Sequence, residues 1–342
     1  LGTVLFEELG LPAGKKTKSG YSTGAEILEG LANVHPIINP ILEYRTLTKL
    51  KSTYVDGLLA VVCPDGRVRS EFKQTETRTG RISSANPNMQ NIPVRKEIGS
   101  NMRKFFVAAK GRELVDADYS QIELRVLASM CGDKNMISTF LSGTDIHTRT
   151  ASQVFGVPEE LVDADMRRAA KAVNFGIIYG IGAFSLSKDI NVSVAQADRY
   201  IKSYLAGFPS VDRFMKDTVE FAENNGYVKT LFGRRRYIPE LKSSNKNLQA
   251  FGRRAAMNAP IQGTAADIIK IAMIRVWRKL KEENLDARLI LQVHDELIVE
   301  ASEECAKRAA ELLSQEMESA VKLSVPLTAD VNIGRSWYDA KG

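Results

Sequence analysis

Two segments far apart in the chain each bring a carboxylate to the end of an apolar run: Leu114-Val-Asp-Ala-Asp118-Tyr-Ser-Gln-Ile-Glu123-Leu-Arg125 and Leu291-Gln-Val-His-Asp295-Glu-Leu-Ile-Val-Glu300. Carboxylates carried to one place by two strands are how a protein builds a two-metal site. Strand periodicity supports the reading. Val115, Ala117 and Tyr119 share one face and can enter a core, while Asp116 and Asp118 share the other. In the second segment Leu289 to Val293 and Leu297 to Val299 read as two short strands, with His294 and Asp295 at the bend, so Asp295 is aimed out of a hairpin tip. A lone Asp at either place would ordinarily do no more than turn the chain. Its meaning depends on what lies between the two.

Between them, Met166 to Tyr179 reads as a helix, with Asp163 or Asp165 as its cap. Arg167, Lys171, Phe175 and Tyr179 recur every four residues, a stripe that drifts slowly around a helix. Two cations followed by two rings repeat the order of parts in a nucleoside triphosphate: phosphates near the positive helix N-terminus, then sugar and base beside the rings. Gly176 and Gly180 each cost a helix about 1 kcal/mol relative to Ala, so they mark either a close approach or a bend. A basic surface helix with its rings in the core has the same pattern, and the stripe alone does not separate the two.

The elements that must position these groups are legible in outline. Residues 1 to 60 read as short helices around a Lys- and Gly-rich loop, with Thr23 to Glu26 as a capping box for a helix running to Asn33. Leu58 to Gln74 reads as strand, turn and strand about Pro64-Asp65-Gly66, and residues 76 to 95 as a polar loop. After the first acidic strand come a helix from Gln121, a long helical stretch from Thr148 to Glu223, and a Lys/Arg-rich connection from Gly226 to Asn247. A helix from Ala250 to Asn284, the acidic hairpin, a helix from Glu303 to Val321 and a closing strand complete the chain. Strands thus flank a mainly helical insertion, and the two acids meet only if those strands pair.

At 342 residues and 44% hydrophobic content, the chain exceeds what one core usually holds, so two or three subdomains are expected. A formal charge of +6 permits a polyanionic partner without demanding one. Cys63, Cys131 and Cys305 have no CxxC spacing, and His35, His147 and His294 no HExxH spacing, so any metal must be held by oxygen. No stretch is long and apolar enough for a membrane span and no signal pattern opens the chain, which makes a reducing cytoplasm the expected location. The absence of an initiating Met suggests part of something longer.

With these segments in view, the chain closely resembles the polymerase part of family A DNA polymerases, the bacterial DNA polymerase I group. The likeness is carried by Asp118-Tyr-Ser-Gln-Ile-Glu-Leu-Arg125, Arg167-Arg-Ala-Ala-Lys-Ala-Val-Asn-Phe-Gly-Ile-Ile-Tyr-Gly180 and Gln292-Val-His-Asp-Glu296. Thr79-Gly-Arg-Ile-Ser-Ser-Ala-Asn-Pro-Asn-Met-Gln-Asn-Ile-Pro-Val-Arg95 and Asn258-Ala-Pro-Ile-Gln-Gly-Thr-Ala-Ala-Asp267 match as well. The resemblance implies an α+β right-hand fold. Residues 1–60 would be a partial thumb, 61–125 the first part of an antiparallel palm sheet, 126–261 helical fingers and 262–342 the rest of the palm. It leaves no place in this chain for a proofreading domain.

It also implies roles. Asp118, Asp295 and the main-chain carbonyl of Tyr119 would hold two Mg²⁺ ions, with Mn²⁺ as a substitute, roughly 3.5 to 4 Å apart. Arg167, Lys171 and His147 would bind phosphates, Lys171 also protonating pyrophosphate. Phe175 would stack near the sugar, Tyr179 would lie by the templating base, Gln121 would touch the nucleotide, and Glu123 would fill the space a ribose 2′-hydroxyl needs. From spacing alone His147 reads equally as a capping or packing residue, and Ser120-x-x-Glu123 equally as a capping box. Arg81, Arg254, Asn258, Gln262 and His294 would check pair shape in the minor groove, where every base pair offers similarly placed acceptors. Asn88, Gln90, Asn91 and Arg95 would contact DNA from the polar loop, and Arg234, Arg235 and Arg236 would touch template phosphate.

The expected partners are primer-template DNA and deoxynucleoside triphosphates, with the chain acting as a monomer. Two other classes stay open: a single-subunit RNA polymerase, which Glu123 argues against, and a non-catalytic duplex-binding protein. Gly20-Tyr-Ser22-Thr-Gly24 fits the GxSxG hydrolase pattern, but no apolar strand precedes it.

Overall fold

The computed structural model describes residues 1–14, 16–17, 20–93 and 97–341. The chain divides into two compact units, 1–71 with 84–102, and 72–83 with 103–342. The smaller has its own apolar cluster, in which Leu5 and Phe6 pack with Leu28 and Ile38. The capping box expected at Thr23 is absent. Gly24 occupies the cap of a helix that stops at Glu29, because the Thr23 hydroxyl is taken by Arg45 Nη2 at 3.1 Å. The expected strand pair around Pro64 reduces to one bridge between Val62 and Val68, and the polar loop contains a short helical turn, Met89–Asn91.

The larger unit is built on a four-stranded antiparallel sheet. Its order is Ala329–Gly334, Arg112–Tyr119, Glu296–Ser302, Ala287–Val293. The first acidic strand is therefore central and pairs directly with the second arm of the acidic hairpin, Val115 opposite Val299 and Asp118 opposite Glu296. Alternation works as expected on one face. Val115, Ala117, Tyr119, Leu297, Val299 and Ala301 enter one core with Leu312, Leu313 and Met317 of the helix Ala306–Glu318. The Tyr119 hydroxyl closes that face by donating to the Met317 carbonyl at 2.6 Å.

The opposite face is also covered, which the sequence pattern did not reveal. Asp116, Glu296 and Glu300 are buried there; the buried Trp337 of the short helix Trp337–Ala340 donates its indole N–H to Glu296 at 2.7 Å, and the Ala109 amide donates to Glu300 at 3.0 Å. Period two predicts which side chains share a face, not whether a later element covers it.

Helices supply the rest. The long helical stretch expected from Thr148 to Glu223 is broken into Ile146–Phe155, Ala164–Ile178, Ala183–Asp189, Val194–Gly207 and Pro209–Asn225, with Gly156, Gly182 and Pro209 at the breaks. The helix Lys246–Glu282 runs through Pro260 and is buried along much of one side. The Lys/Arg-rich connection is a small antiparallel ribbon, Tyr227–Lys229 with Arg235–Tyr237. None of the described helices is long and apolar enough to cross a membrane.

Both glycines flagged in the cationic helix have a physical reason. A Cβ on Gly176 would lie 2.6 Å from Ile181 Cγ2, and one on Gly180, where φ is +66°, would lie 2.4 Å from Met257 Cε. The chain therefore bends back on its own helix at Gly180 and meets the long helix there.

A third close approach anchors the covering helix. Gly334 lies opposite Leu114, and an added Cβ would sit 2.5 Å from Ala340 N and 2.6 Å from Asp339 Cβ. Gly334→Ala should lower stability in urea by about 2 kcal/mol, the size of a core overpacking. A neutral result would mean that the helix is not pressed against the strand.

Candidate active site

Pairing of the two acidic strands sets the geometry of the carboxylates. The Tyr119 amide donates to the Asp295 carbonyl at 3.1 Å, which ties the end of one strand to the hairpin bend. His294 takes the bend at φ +55°, and Gln292 Nε2 donates to its carbonyl at 2.5 Å. Asp118 and Asp295 are thereby neighbours. Burial, then the charge of Asp118, pushes the Asp295 carboxyl well above the usual range. Asp118 Oδ2 accepts from Lys341 Nζ at 2.8 Å, whereas its Oδ1 is buried with no partner among the described residues.

The surroundings of Glu123 link three further groups. Its Oε1 accepts from Arg81 Nη2 at 2.7 Å and its Oε2 from the Tyr179 hydroxyl at 3.0 Å. Both carboxylate oxygens are thus committed, and Glu123 caps no helix. The residue before Ile122–Cys131 is Gln121, in a left-handed conformation with no side-chain cap bond. Burial, then the nearby Glu123 charge, raises the Tyr179 phenol far above its ordinary value, so it stays a donor.

In the cationic helix, Asp163 is the cap, accepting from the Met166 amide at 2.8 Å. Arg167 grips Asp145 through Nε at 2.9 Å and Nη2 at 3.1 Å, and Gln121 Nε2 reaches the same carboxylate at 3.3 Å. Burial opposes the Asp145 charge, but Arg167 and Thr148 hold its carboxyl well below the usual range. Lys171 is exposed one turn on. His147 is buried, its ring centroid 5.9 Å from that of Phe175.

Thr150 donates to Asn174 Oδ1 at 3.2 Å, so the Asn174 amide nitrogen, 3.1 Å from His147 Nδ1, donates there. The proton of the neutral ring then sits on Nε2, which is buried and has no protein acceptor among the described residues. Phe175, Tyr179, Gly180 and Arg254 line a cleft of 560 Å³.

These elements, in this order, are those of a known family. Residues 1–339 match the family model for DNA polymerase family A. The chain belongs to that family. It is 54% identical over 343 residues to DNA polymerase I of Geobacillus stearothermophilus, aligned over 100% of this chain and 39% of that protein. To the thermostable DNA polymerase I of Thermus aquaticus it is 50% identical over 344 residues, 41% of that protein. The chain thus spans about two fifths of the length of these relatives. The polymerase domain of Pol1 from M. smegmatis, solved in complex with DNA primer-template and dNTP, superposes with a TM-score of 0.95 at 45% identity, over 100% of this chain and 61% of that one. The α+β fold expected from the sequence is therefore the fold of family A.

Of the family A positions expected to meet DNA, Arg254, Asn258 and Gln262 recur at helical spacing on Lys246–Glu282, and Asn258 Oδ1 is buried without a partner among the described residues. His294 is exposed at the hairpin bend. Asn88, Gln90 and Asn91 belong to the smaller unit, where Asn88 caps the turn by accepting from the Gln90 amide at 2.9 Å. Arg95 lies outside the described residues.

The arginine run is less available than its charge suggests. Arg234 Nε donates to Asp267 at 2.7 Å, and Arg235 lies 4.8 Å over the Tyr227 ring. Sequence reading gave no role to Asp145, Asn174, Asp116, Glu296, Arg103, Trp337 or Lys341. The Ser336-x-x-Asp339 spacing, a capping box in the structure, is a local signal by which the sequence could have revealed the helix there, although the sequence reading ended on a strand.

Burial holds the His147 ring down to about 4, against the opposing pull of Asp145. An unfolded histidine titrates near 6.5. This contribution to stability is therefore complete above pH 6.5 and is lost as the pH falls through 4. The stability advantage of wild type over His147→Gln in urea should shrink by about 2 kcal/mol between pH 7 and pH 4.5. A difference that does not change with pH would mean that the ring is not held neutral.

Proposed function

We propose that this chain is a template-directed DNA polymerase that adds deoxynucleotides to a primer 3′-hydroxyl by two-metal phosphoryl transfer. The observation carrying the proposal is the pairing that sets Asp118 beside Asp295, with Asp118 Oδ1 buried and unpartnered among the described residues. An orphaned carboxylate oxygen beside a second carboxyl, one raised first by burial and then by its neighbour's charge, gives a divalent cation two acids to neutralise. Among the described residues no group of three or more His, Cys, Asp or Glu forms a cage. Mg²⁺ keeps its waters and binds through one or two carboxylates plus substrate phosphates, so Asp118 and Asp295 would be enough to hold it.

Asp118, Asp295 and the Tyr119 carbonyl would hold the ions, with Mn²⁺ as a substitute. When bound, the pair would lower the pKa of the attacking hydroxyl and neutralise the departing pyrophosphate. The remaining work falls to residues of the chain. Lys171, exposed on the cationic helix, offers a proton to pyrophosphate, and His147 Nε2–H a neutral donor to a phosphate oxygen. Arg167 has first to exchange Asp145 for phosphate, so its charge is stored in a pair until substrate arrives. Phe175 and Tyr179 flank the cleft where sugar and base would lie, in the reading that takes residues 61–125 and 262–342 as palm and 126–261 as fingers.

Glu123 supplies the choice of sugar. Held from both sides by Arg81 and Tyr179, its carboxylate cannot swing away from an added hydroxyl without breaking a bond. The single-subunit RNA polymerase reading has no use for such a clamp. By the same ties, the minor-groove donor Arg81 and the base-side ring Tyr179 are fixed to one another through Glu123.

In primer extension with Mg²⁺, Asp295→Ala should be slower than wild type by on the order of 10³-fold, the scale of losing one fixed electrostatic contact. Equal extension would overturn the catalytic reading. Glu123→Ala should raise ribonucleotide incorporation relative to deoxynucleotide by at least ~10-fold. An unchanged ratio would remove Glu123 from sugar selection.

A further inference from the structure

The covered face of the sheet holds more charge than the proposed reaction uses. Glu296, with its side chain only 5% exposed, accepts from Trp337 Nε1 at 2.7 Å and from Lys341 Nζ at 2.7 Å, with Arg103 Nη1 at 3.5 Å. The same Lys341 ammonium donates to Asp118 Oδ2 at 2.8 Å. It is delivered there by the short helix Trp337–Ala340, fixed by the Ser336–Asp339 capping box and by the buried indole. The two oxygens of Asp118 are therefore unequal. Oδ1 is buried and has no partner among the described residues, while Oδ2 already carries a cation. A carboxylate that serves two ions needs both.

We propose that Lys341 is a resident counter-cation of Asp118, which leaves one oxygen open to a first divalent ion and competes with a second ion for the other. The inference rests on the metal reading above and goes beyond it. Exchange requires only that the ammonium release Oδ2, because Glu296 lies within its reach and keeps it charged and paired. Glu296 is itself held in place by the Trp337 indole, with Arg103 Nη1 at 3.5 Å, so it stays within reach of the ammonium during the exchange.

The consequence concerns Lys341. Without triphosphate its ammonium would hold Asp118 Oδ2 against a second divalent ion, and triphosphate oxygens, by adding ligands of their own, would let that ion outweigh it.

The test is Mn²⁺ binding to the whole chain without DNA or nucleotide, read from the electron paramagnetic resonance of free Mn²⁺. Wild type should bind one ion tightly and a second more weakly. Lys341→Met should tighten the weaker site by about tenfold, the scale of one charge-assisted bond, and leave the first site unchanged. Lys341→Arg, which keeps the charge, should behave as wild type. A second site that is unchanged or weaker in Lys341→Met overturns the proposal.

Asp295→Asn separates the two failures. If it abolishes Mn²⁺ binding while Lys341→Met has no effect, only the role of Lys341 falls; if Mn²⁺ binding ignores Asp295→Asn, the metal reading falls and takes this one with it. A measurement without substitution guards against misfolding. Acetylation of Lys341 in wild type, quantified by mass spectrometry, should rise on saturation with Mn²⁺, and unchanged labelling overturns the exchange.

Discussion

The site depends on one constraint, the antiparallel register between Arg112–Tyr119 and Glu296–Ser302. Asp118 and Asp295 are far apart in sequence, and the ladder that puts Asp118 opposite Glu296 makes them neighbours. Register has an all-or-none character because side chains alternate faces with period two. A slip by one residue would move Asp118 to the opposite face. The apolar set Val115, Ala117, Tyr119 and Leu297, Val299, Ala301 prevents that slip, since it would leave the face that packs on the helix Ala306–Glu318. The core thus fixes the chemistry indirectly, by making every other pairing expensive.

Gathering acids on the remaining face has a cost, and the structure meets it with specific partners. Burial, followed by the charge of Glu296, pushes the Asp116 carboxyl strongly upward, so it is held as the neutral acid and hydrogen-bonds Glu296. Glu296 remains charged between Trp337, Lys341 and Arg103, whose guanidinium also lies 4.0 Å over the Trp337 ring. On the other side of Asp118, Glu123 is neutralised by Arg81, and further along Asp145 is neutralised by Arg167. Asp118, Glu296, Glu123 and Asp145 each have a cationic neighbour in contact. Asp295 has none in contact among the described residues, and a divalent cation shared with the free oxygen of Asp118 would compensate it.

Much of this was legible in the sequence because it rests on local periodicity. The face assignments of Val115 and Tyr119, the bend at His294 and Asp295, the stripe from Arg167 to Tyr179 and the tight approaches at Gly176 and Gly180 all follow from spacing. The family was legible from long motifs in order. What failed shares one cause, that competing partners come from distant sequence. Thr23 and Glu123 sit at capping spacing, yet their side chains go to Arg45, and to Arg81 and Tyr179. Asp116 was placed on the right face, but no local spacing tells that Trp337, in a helix of four residues, helps to close that face. Lys341 has no periodic signal at all, and it reaches Asp118 just after a helix that packs closely on the strand at Gly334.

The central claim, that Asp118 and Asp295 share a divalent-ion site, is tested most directly by anomalous diffraction from Mn²⁺-soaked crystals of the chain bound to primer-template and nucleotide. The account predicts anomalous peaks within about 2.5 Å of carboxylate oxygens from both residues. Peaks that touch only one of the two, or lie elsewhere, would contradict it.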